Sequence, residues 1–99
     1  MKVVVTEPAK DELKKIYQYF KEKVSKTVAD KIKKNLLEAI ARIGTNPEMG
    51  QKEELLTVLG LDHRRIVTGN YKIIYRIEGN TVFVTDIFDS RQDPSQMKS

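Results

Sequence analysis

The chain has no cysteine and no tryptophan, and it has only three prolines and five glycines among 99 residues. Because cysteine is missing, disulfides and thiolate metal ligands are excluded, and nothing in the sequence requires an oxidising compartment. No apolar run approaches the roughly 20 residues that cross a bilayer, and the segment over residues 1–5 is too short for a signal peptide. We therefore expect a cytoplasmic protein that makes no membrane contact.

Motifs for nucleotide and metal chemistry are also missing. The sequence contains no GxGxxG, no phosphate-binding loop and no HExxH. A single histidine without cysteine cannot supply a transition-metal cluster or a Cys-His nucleophile, and Asp86, Asp89 and Asp93 fit ordinary turn and edge positions better than a magnesium site. We expect no metal ion and no cofactor. The length predicts a single domain over residues 1–99, which buries roughly 60–65% of its unfolded surface around one core.

The charge of the chain is unbalanced toward the basic side. Eighteen lysines and arginines face 14 acidic residues, which gives a net charge of +4 and an isoelectric point near 9.3. This excess favours an acidic partner, such as nucleic acid, a ribosome or an acidic protein. Alternatively, the lysines are only solubilising charges on exposed helix faces. That alternative is weaker for the arginines, which fall mainly in the predicted strands.

Two amphipathic helices are predicted in the first half of the chain. Thr6 and Pro8 have the positions of a cap and a first turn, and Ser25 predicts the cap of a second helix after almost no linker. We expect Gly44 to end that helix as a left-handed residue before Asn46-Pro47. The apolar stripes of the two helices are Ala9, Leu13, Ile16, Tyr17, Phe20 and Val24, and then Val28, Ile32, Leu36, Ala39, Ile40 and Ile43.

The last third of the chain predicts a β-sheet. Residues 63–94 contain three runs rich in Val, Ile, Tyr, Phe and Thr, separated by turn signals at Gly69-Asn70 and Glu78-Gly79-Asn80. The third run, over residues 81–88, is apolar on both sides, as in a central strand, and residues 3–6 predict a further strand. The order is β-α-α-β-β-β. We expect an α+β fold in which the helix hairpin packs on one face of a small twisted, mainly antiparallel sheet and leaves the other face open.

Arginines occupy selected places in these strands. Arg64 and Arg65 lie on the first strand of the meander, Arg76 lies on the second, and Arg91 follows the third. Alternation places Arg64 and Arg65 on opposite faces, one on the open side and one near an edge. A guanidinium makes bidentate contacts with phosphates or carboxylates, so these four residues are candidate target-binding groups. The alternative is cross-strand pairing of the arginines with acidic residues of the sheet.

Three further side chains, His63, Tyr71 and Tyr75, are candidates for a functional role. His63 is the only histidine of the chain, and histidine is the usual general base in proteins, but a general base also needs an orienting partner. Its place beside Asp62 at the start of a strand is more typical of a surface residue. Tyr71 and Tyr75 could stack on bases, but they share a strand face with isoleucines, which favours packing in the core.

The whole chain resembles the ParE/RelE family of bacterial toxins from type II toxin–antitoxin systems. The resemblance rests on the element order, on NPEMG at residues 46–50, on RIVTGNYKIIYR at residues 65–76 and on IFDSRQDP at residues 87–94. ParE-like members poison DNA gyrase, whereas RelE-like members cut messenger RNA on the ribosome without a metal. The resemblance therefore implies a toxin of a plasmid stabilisation module, with either gyrase or ribosome-bound mRNA as its target.

The site residues favour the ParE-like side of the family. Arg65 and Arg91 match positions where the nucleases keep arginines, and His63 is the remaining candidate if the protein is a nuclease. However, the aromatic acid or base that such nucleases carry near the C-terminus is missing after Arg91, and Asp89 stands where a histidine is frequent. A carboxylate there would repel the scissile phosphate. We therefore expect gyrase inhibition, with ribosome-dependent mRNA cleavage as the alternative.

The resemblance also implies a partner. In this family a cognate antitoxin wraps an extended or helical tail over the toxin, and a basic toxin suits an acidic, disordered segment that folds on binding. A homodimer or a toxin–antitoxin heterotetramer is compatible with such a system. The sequence leaves the identity of the antitoxin and the oligomeric state open.

Overall fold

The computed structural model describes residues 1–99 and contains two α-helices and a five-stranded sheet. The elements are β1 (Lys2–Val5), α1 (Glu7–Lys23), α2 (Lys26–Thr45), β2 (Gln51–Lys52), β3 (Arg64–Thr68), β4 (Tyr71–Glu78) and β5 (Thr81–Asp89), with short 3-10 turns at Pro47–Met49, Glu54–Leu59 and Pro94–Gln96. The sheet order is β1-β5-β4-β3-β2, with β1 parallel to β5 and all other neighbours antiparallel. The expected α+β fold is confirmed. The two-residue strand β2 was not predicted.

Both helices begin at the caps that the sequence predicts. The Thr6 hydroxyl accepts a hydrogen bond from the backbone N–H of Ala9 at 3.4 Å, and the Ser25 hydroxyl accepts one from Val28 at 3.1 Å. These bonds satisfy donors that the first helical turn leaves free. Val24 was wrongly placed on the apolar stripe of α1, because it lies just past the end of the helix and is 58% exposed. Neither helix is long and apolar enough to cross a bilayer.

Gly44 does not end α2 in the left-handed conformation that the sequence suggested. It lies inside the helix, which continues to Thr45, and it is fully packed against β1. A Cβ atom at this position would be 2.7 Å from a methyl group of Val3. Glycine is needed here because the backbones of α2 and β1 approach each other closely, and no positive φ is involved.

The main core lies between the helix hairpin and one face of the sheet. Its buried members are Ala9, Leu36, Ala39, Ile40, Ile43, Ile73, Tyr75, Val82, Val84 and Ile87. As predicted, β5 is a central strand, and Tyr75 is in the core. Burial of each leucine, isoleucine or valine side chain in this set stabilises the fold by about 1.5–3 kcal/mol.

The second face of the sheet is only partly open, which corrects the expectation of a free face. A smaller buried cluster lies there, formed by Leu56, Ile74, Phe88 and Met97. Leu56 belongs to the 3-10 turn before β3, and Met97 belongs to the C-terminal segment, which we define as residues 94–99. Both segments cover apolar side chains of β4 and β5 that would otherwise face water.

A bulge in β5 sets which side chains reach this second face. Tyr75 pairs with Val84 but the preceding residue, Ile74, pairs with Asp86, so Thr85 is an extra residue in β5. A bulge of this kind shifts the alternation of side chains by one position. As a result Val84 and Ile87 both pack in the main core, and Asp86 points to the second face beside Phe88, where the C-terminal segment lies.

Candidate functional site

Arg65 lies on the second face of the sheet and is held by a buried carboxylate. In the β3–β4 register it is opposite Ile74. Its guanidinium is 3.5 Å from Glu53, whose side chain is only 1% exposed, and Lys72 binds the other oxygen of the same carboxylate at 3.2 Å. The backbone N–H of Leu55 donates a third contact at 3.3 Å. Glu53 therefore fixes two cations at the edge of the second face.

Arg64 points to the other side of the sheet, as the alternation predicts. It forms an ion pair with Glu48 at 3.0 Å and donates a hydrogen bond to the carbonyl of Gly50 at 2.9 Å. Both contacts lie in the connection that follows α2. Arg64 thus holds this connection against β3, and a part of its guanidinium stays accessible at the edge of the sheet.

Arg76 shares the second face with Arg65 but has different partners. It pairs with Glu78 on the same strand, and its guanidinium carbon lies 4.9 Å from the centre of the Phe83 ring. One interpretation of the sequence was that Arg76 pairs with acidic residues across strands. The ion pair that forms, with Glu78, is within β4. Stacking on an aromatic ring and a neighbouring carboxylate together restrict this guanidinium.

Arg91 is the most exposed of the four arginines. Its side chain is 65% exposed and forms a two-point ion pair with Asp89, with distances of 3.0 Å and 2.8 Å. The hydrogen bond from Arg91 lowers the pKa of the Asp89 carboxyl. Beside this pair, a cleft of about 330 Å³ between α1 and the end of the sheet is lined by Tyr19 and Tyr71 among others. The donors of Arg91 that Asp89 does not use face solvent and can bind a partner.

His63 is not a surface residue, so that part of the sequence interpretation is wrong. Its side chain is 1% exposed, and its Nε2 atom lies 3.1 Å from the carbonyl oxygen of Ser99. The Nδ1 atom is buried without a hydrogen-bond partner. The C-terminal segment covers this ring, and a general base must reach a substrate proton. His63 in this arrangement has no access to a substrate.

The four arginines do not converge on one site. In the β4–β5 register, Arg76 is opposite Phe83. Asp89, which forms the ion pair with Arg91, lies six residues after Phe83 in β5. Six strand residues span about 20 Å, so Arg76 and Arg91 lie toward opposite ends of the sheet. Arg64 points to the other face. Each guanidinium has an acidic partner, and the four groups are spread over both faces and opposite ends of the sheet.

Several residues that organise this region were missed at the sequence level. The backbone N–H of Lys98 donates to the carboxylate of Asp86 at 2.9 Å, and the Lys98 ammonium binds Glu12 of α1 at 2.6 Å. Burial raises the pKa of Asp86, which is 2% exposed. The available signal was an aspartate within a strand that is otherwise apolar on both sides. Such a residue requires a partner.

The fold of this chain is similar to that of a known toxin–antitoxin structure. A solved structure described as "Chromosomal ParDE TA system from P. aeruginosa" superposes with a TM-score of 0.76, covering 90% of this chain and 95% of that one at 17% identity. At this identity the likeness shows the fold. No curated protein sequence matches the chain significantly.

The family itself follows from the sequence model described as "ParE toxin of type II toxin-antitoxin system, parDE", which matches residues 3–94. The chain belongs to this family. The resemblance that the motifs suggested is thereby confirmed, and membership implies a cognate antitoxin as a partner.

Proposed function

We propose that this ParE-family toxin acts by binding and inhibiting DNA gyrase, and that its cognate antitoxin neutralises it by direct contact. The observation that carries the proposal is the dispersal of Arg64, Arg65, Arg76 and Arg91 over both faces and opposite ends of the sheet, each with its own acidic partner. Inhibition by contact needs an extended surface of this kind and no reacting group. This target lies in the bacterial cytoplasm, so we propose that location for the toxin.

The geometry is unfavourable for the alternative, cleavage of mRNA on the ribosome. That chemistry needs an acid and a base within hydrogen-bond distance of the reacting phosphodiester. Of the three candidates for a nuclease, His63 is sealed under the C-terminal segment, Arg65 is engaged with Glu53, and Arg91 lies at the end of β5 beside Asp89. These side chains do not surround a common point.

Neutralisation by the antitoxin is proposed from the family and from the charge of the chain. A protein with a net charge of +4 attracts an acidic segment over a distance of about 10 Å at moderate salt. We propose that toxin and antitoxin associate as a heterotetramer, with a toxin homodimer as the alternative. Light scattering on the purified complex distinguishes these assemblies by mass.

The test uses purified toxin in two assays, one of gyrase supercoiling and one of mRNA cleavage on purified ribosomes. We expect inhibition of supercoiling and intact mRNA. Arg91→Gln should raise the toxin concentration that half-inhibits gyrase by roughly tenfold, as expected for an arginine that the partner buries in the interface. Arg42→Gln, an exposed arginine of α2 without an ion pair, is the matched control and should change little. Codon-register cuts in the mRNA by the wild-type toxin would overturn the proposal.

A further inference from the structure

The excess of positive charge lies entirely on the helix hairpin, which we define as residues 7–45. This segment contains ten basic and six acidic residues, a surplus of four positive charges. The rest of the chain contains eight basic and eight acidic residues and is neutral, although it carries Arg64, Arg65, Arg76 and Arg91. The net charge of +4 therefore has its origin in the lysine-rich hairpin, and the arginine-bearing sheet contributes nothing to it.

The pairing of charges shows the same division. Each of the four sheet arginines has an acidic partner within 3.5 Å. On the hairpin, Lys14 and Lys33 have no acidic partner within ion-pair distance, and Lys10 has only the exposed Glu7 at 3.4 Å. An exposed pair of that kind contributes about 0–1 kcal/mol, so Lys10 can exchange its partner at little cost.

These three lysines surround one hollow on the outer side of the hairpin. The hollow has a volume of about 230 Å³ and lies where α1 and α2 meet. Its lining residues are Lys10, Leu13, Lys14, Tyr17, Gln18 and Lys33. No carboxylate lines it.

We propose that this hollow binds the phosphodiester backbone of duplex DNA, independently of base sequence. Lysine is a compact point charge that suits phosphate oxygens. Lys10 and Lys14 are four residues apart on α1, a rise of about 6 Å, and Lys33 stands opposite on α2. The pair of helices therefore presents three positive charges around one hollow to a rigid anionic partner. Binding of this type is weak, on the order of 10–100 µM at physiological salt.

A single-stranded nucleic acid fits the hollow less well. Proteins that bind single strands stack the bases on free aromatic rings. The ring of Tyr17 is covered by the Lys33 ammonium, 5.4 Å from its centre, and the Tyr17 hydroxyl donates to Asp30 at 2.7 Å. Tyr17, the aromatic residue that lines the hollow, is therefore already in contact with Lys33 and Asp30. The duplex, whose phosphates are read without its bases, needs no free aromatic ring.

An acidic protein surface is also a weaker match. Tight protein interfaces depend on a few large apolar or aromatic anchors that enter a pocket. In the hollow, Leu13 and Tyr17 lie at the base and are already half-buried, so they offer little further area. The contacts that remain are charges at the rim. This inference does not rest on gyrase as the target, because it concerns contact between the toxin and DNA alone.

The experiment measures binding of antitoxin-free, full-length toxin to labelled 20-base-pair duplexes of two unrelated sequences by fluorescence anisotropy between 25 and 200 mM salt. For three phosphate contacts the logarithm of the binding constant should fall against the logarithm of salt with a slope of about −3. The double variant Lys14→Gln/Lys33→Gln should reduce this slope to about −1. The control, Lys2→Gln/Lys52→Gln, removes two exposed, unpaired lysines outside the hairpin and should keep the slope near −3.

The two doubles remove the same charge, so they separate local contact from net charge. Equal loss of affinity in both would overturn the proposal, as would tighter binding of the matching single strand. Tighter binding of polyglutamate than of duplex would assign the hollow to an acidic protein instead. Urea unfolding of both doubles should remain within about 0.5 kcal/mol of the wild type, because these lysines lie at the surface.

Discussion

The hydroxyl of Tyr75, in the middle of the main core, accepts a hydrogen bond from the backbone N–H of Gly50 at 2.9 Å. The same hydroxyl donates to the carbonyl of Pro47 at 2.8 Å. A fully buried tyrosine of β4 thus satisfies two backbone groups in the connection after α2. This connection also carries Glu48, the partner of Arg64, so the core tyrosine determines where one of the candidate contact arginines lies.

Replacing Tyr75 with phenylalanine should destabilise the fold by about 1–3 kcal/mol, because the buried N–H of Gly50 and the part-buried carbonyl of Pro47 would lose their partner. Urea unfolding measures this difference. Tyr19→Phe is the matched control: Tyr19 is 58% exposed, and the change should stay within about 0.5 kcal/mol. Equal stability of the Tyr75 variant and the wild type would show that water replaces the hydroxyl.

A second prediction concerns the approach of α2 to β1. Gly44→Ala normally favours a helix by up to about 1 kcal/mol. Here the new methyl group would lie 2.7 Å from the Val3 side chain, and Val3 is stiff because it is β-branched. We expect a net loss of roughly 1–3 kcal/mol, which Val3→Ala should partly relieve in a double-mutant cycle. Additive effects of the two changes would contradict a clash between them.

Glu53 is the subject of the third prediction. Glu53→Gln leaves Arg65 and Lys72 without their shared counter-charge, and we expect a loss of roughly 1–3 kcal/mol on urea unfolding. The two cations are about one-fifth exposed, so water offsets a part of the cost. Glu54→Gln, at the exposed neighbouring position, should change the unfolding free energy by less than about 0.5 kcal/mol. Similar losses in both variants would mean that the Glu53 carboxylate is not the anchor.

How far the sequence predicts the fold depends on the range of the contacts. The caps at Thr6 and Ser25 are local signals, and both are present. The contact between His63 and Ser99 joins residues that are 36 positions apart. Because Ser99 lies in the irregular C-terminal segment, no periodic pattern in the sequence predicts this contact. For that reason the burial of His63 and the covering of the second face were missed. A strand of two residues, Gln51–Lys52, is likewise too short to show alternation.

For the site, the sequence predicts positions better than partners. Strand alternation placed Arg64 and Arg65 on opposite faces correctly. Their acidic partners, Glu48 and Glu53, lie in the irregular connection, whose path depends on the finished sheet. The balance of charge between the hairpin and the sheet can be counted in the sequence. The charge balance indicates a binding surface only when the structure shows which charges are already paired.

The last prediction concerns pH. Burial raises the pKa of Asp86 above its ordinary value of 3.8. The backbone N–H and the ammonium of Lys98 lower this pKa, but burial has the larger effect, and the Glu12 carboxylate raises the pKa further. The folded chain therefore takes up this proton more readily than the unfolded chain. The resulting stabilisation is complete below about pH 3.8 and is lost as the pH rises through the raised pKa of Asp86.

The variant Asp86→Asn removes this titration and keeps an acceptor for the backbone N–H of Lys98. This variant should unfold at higher urea than the wild type at pH 7, and the difference should shrink toward zero near pH 3.8. Asp93→Asn is a control of opposite sign, because the hydrogen bond from Ser95 lowers the pKa of Asp93, so its carboxylate contributes stability above its ordinary pKa and loses it in acid. If the Asp86→Asn variant is less stable than the wild type by the same amount at every pH, the charge of Asp86 is needed to hold Lys98.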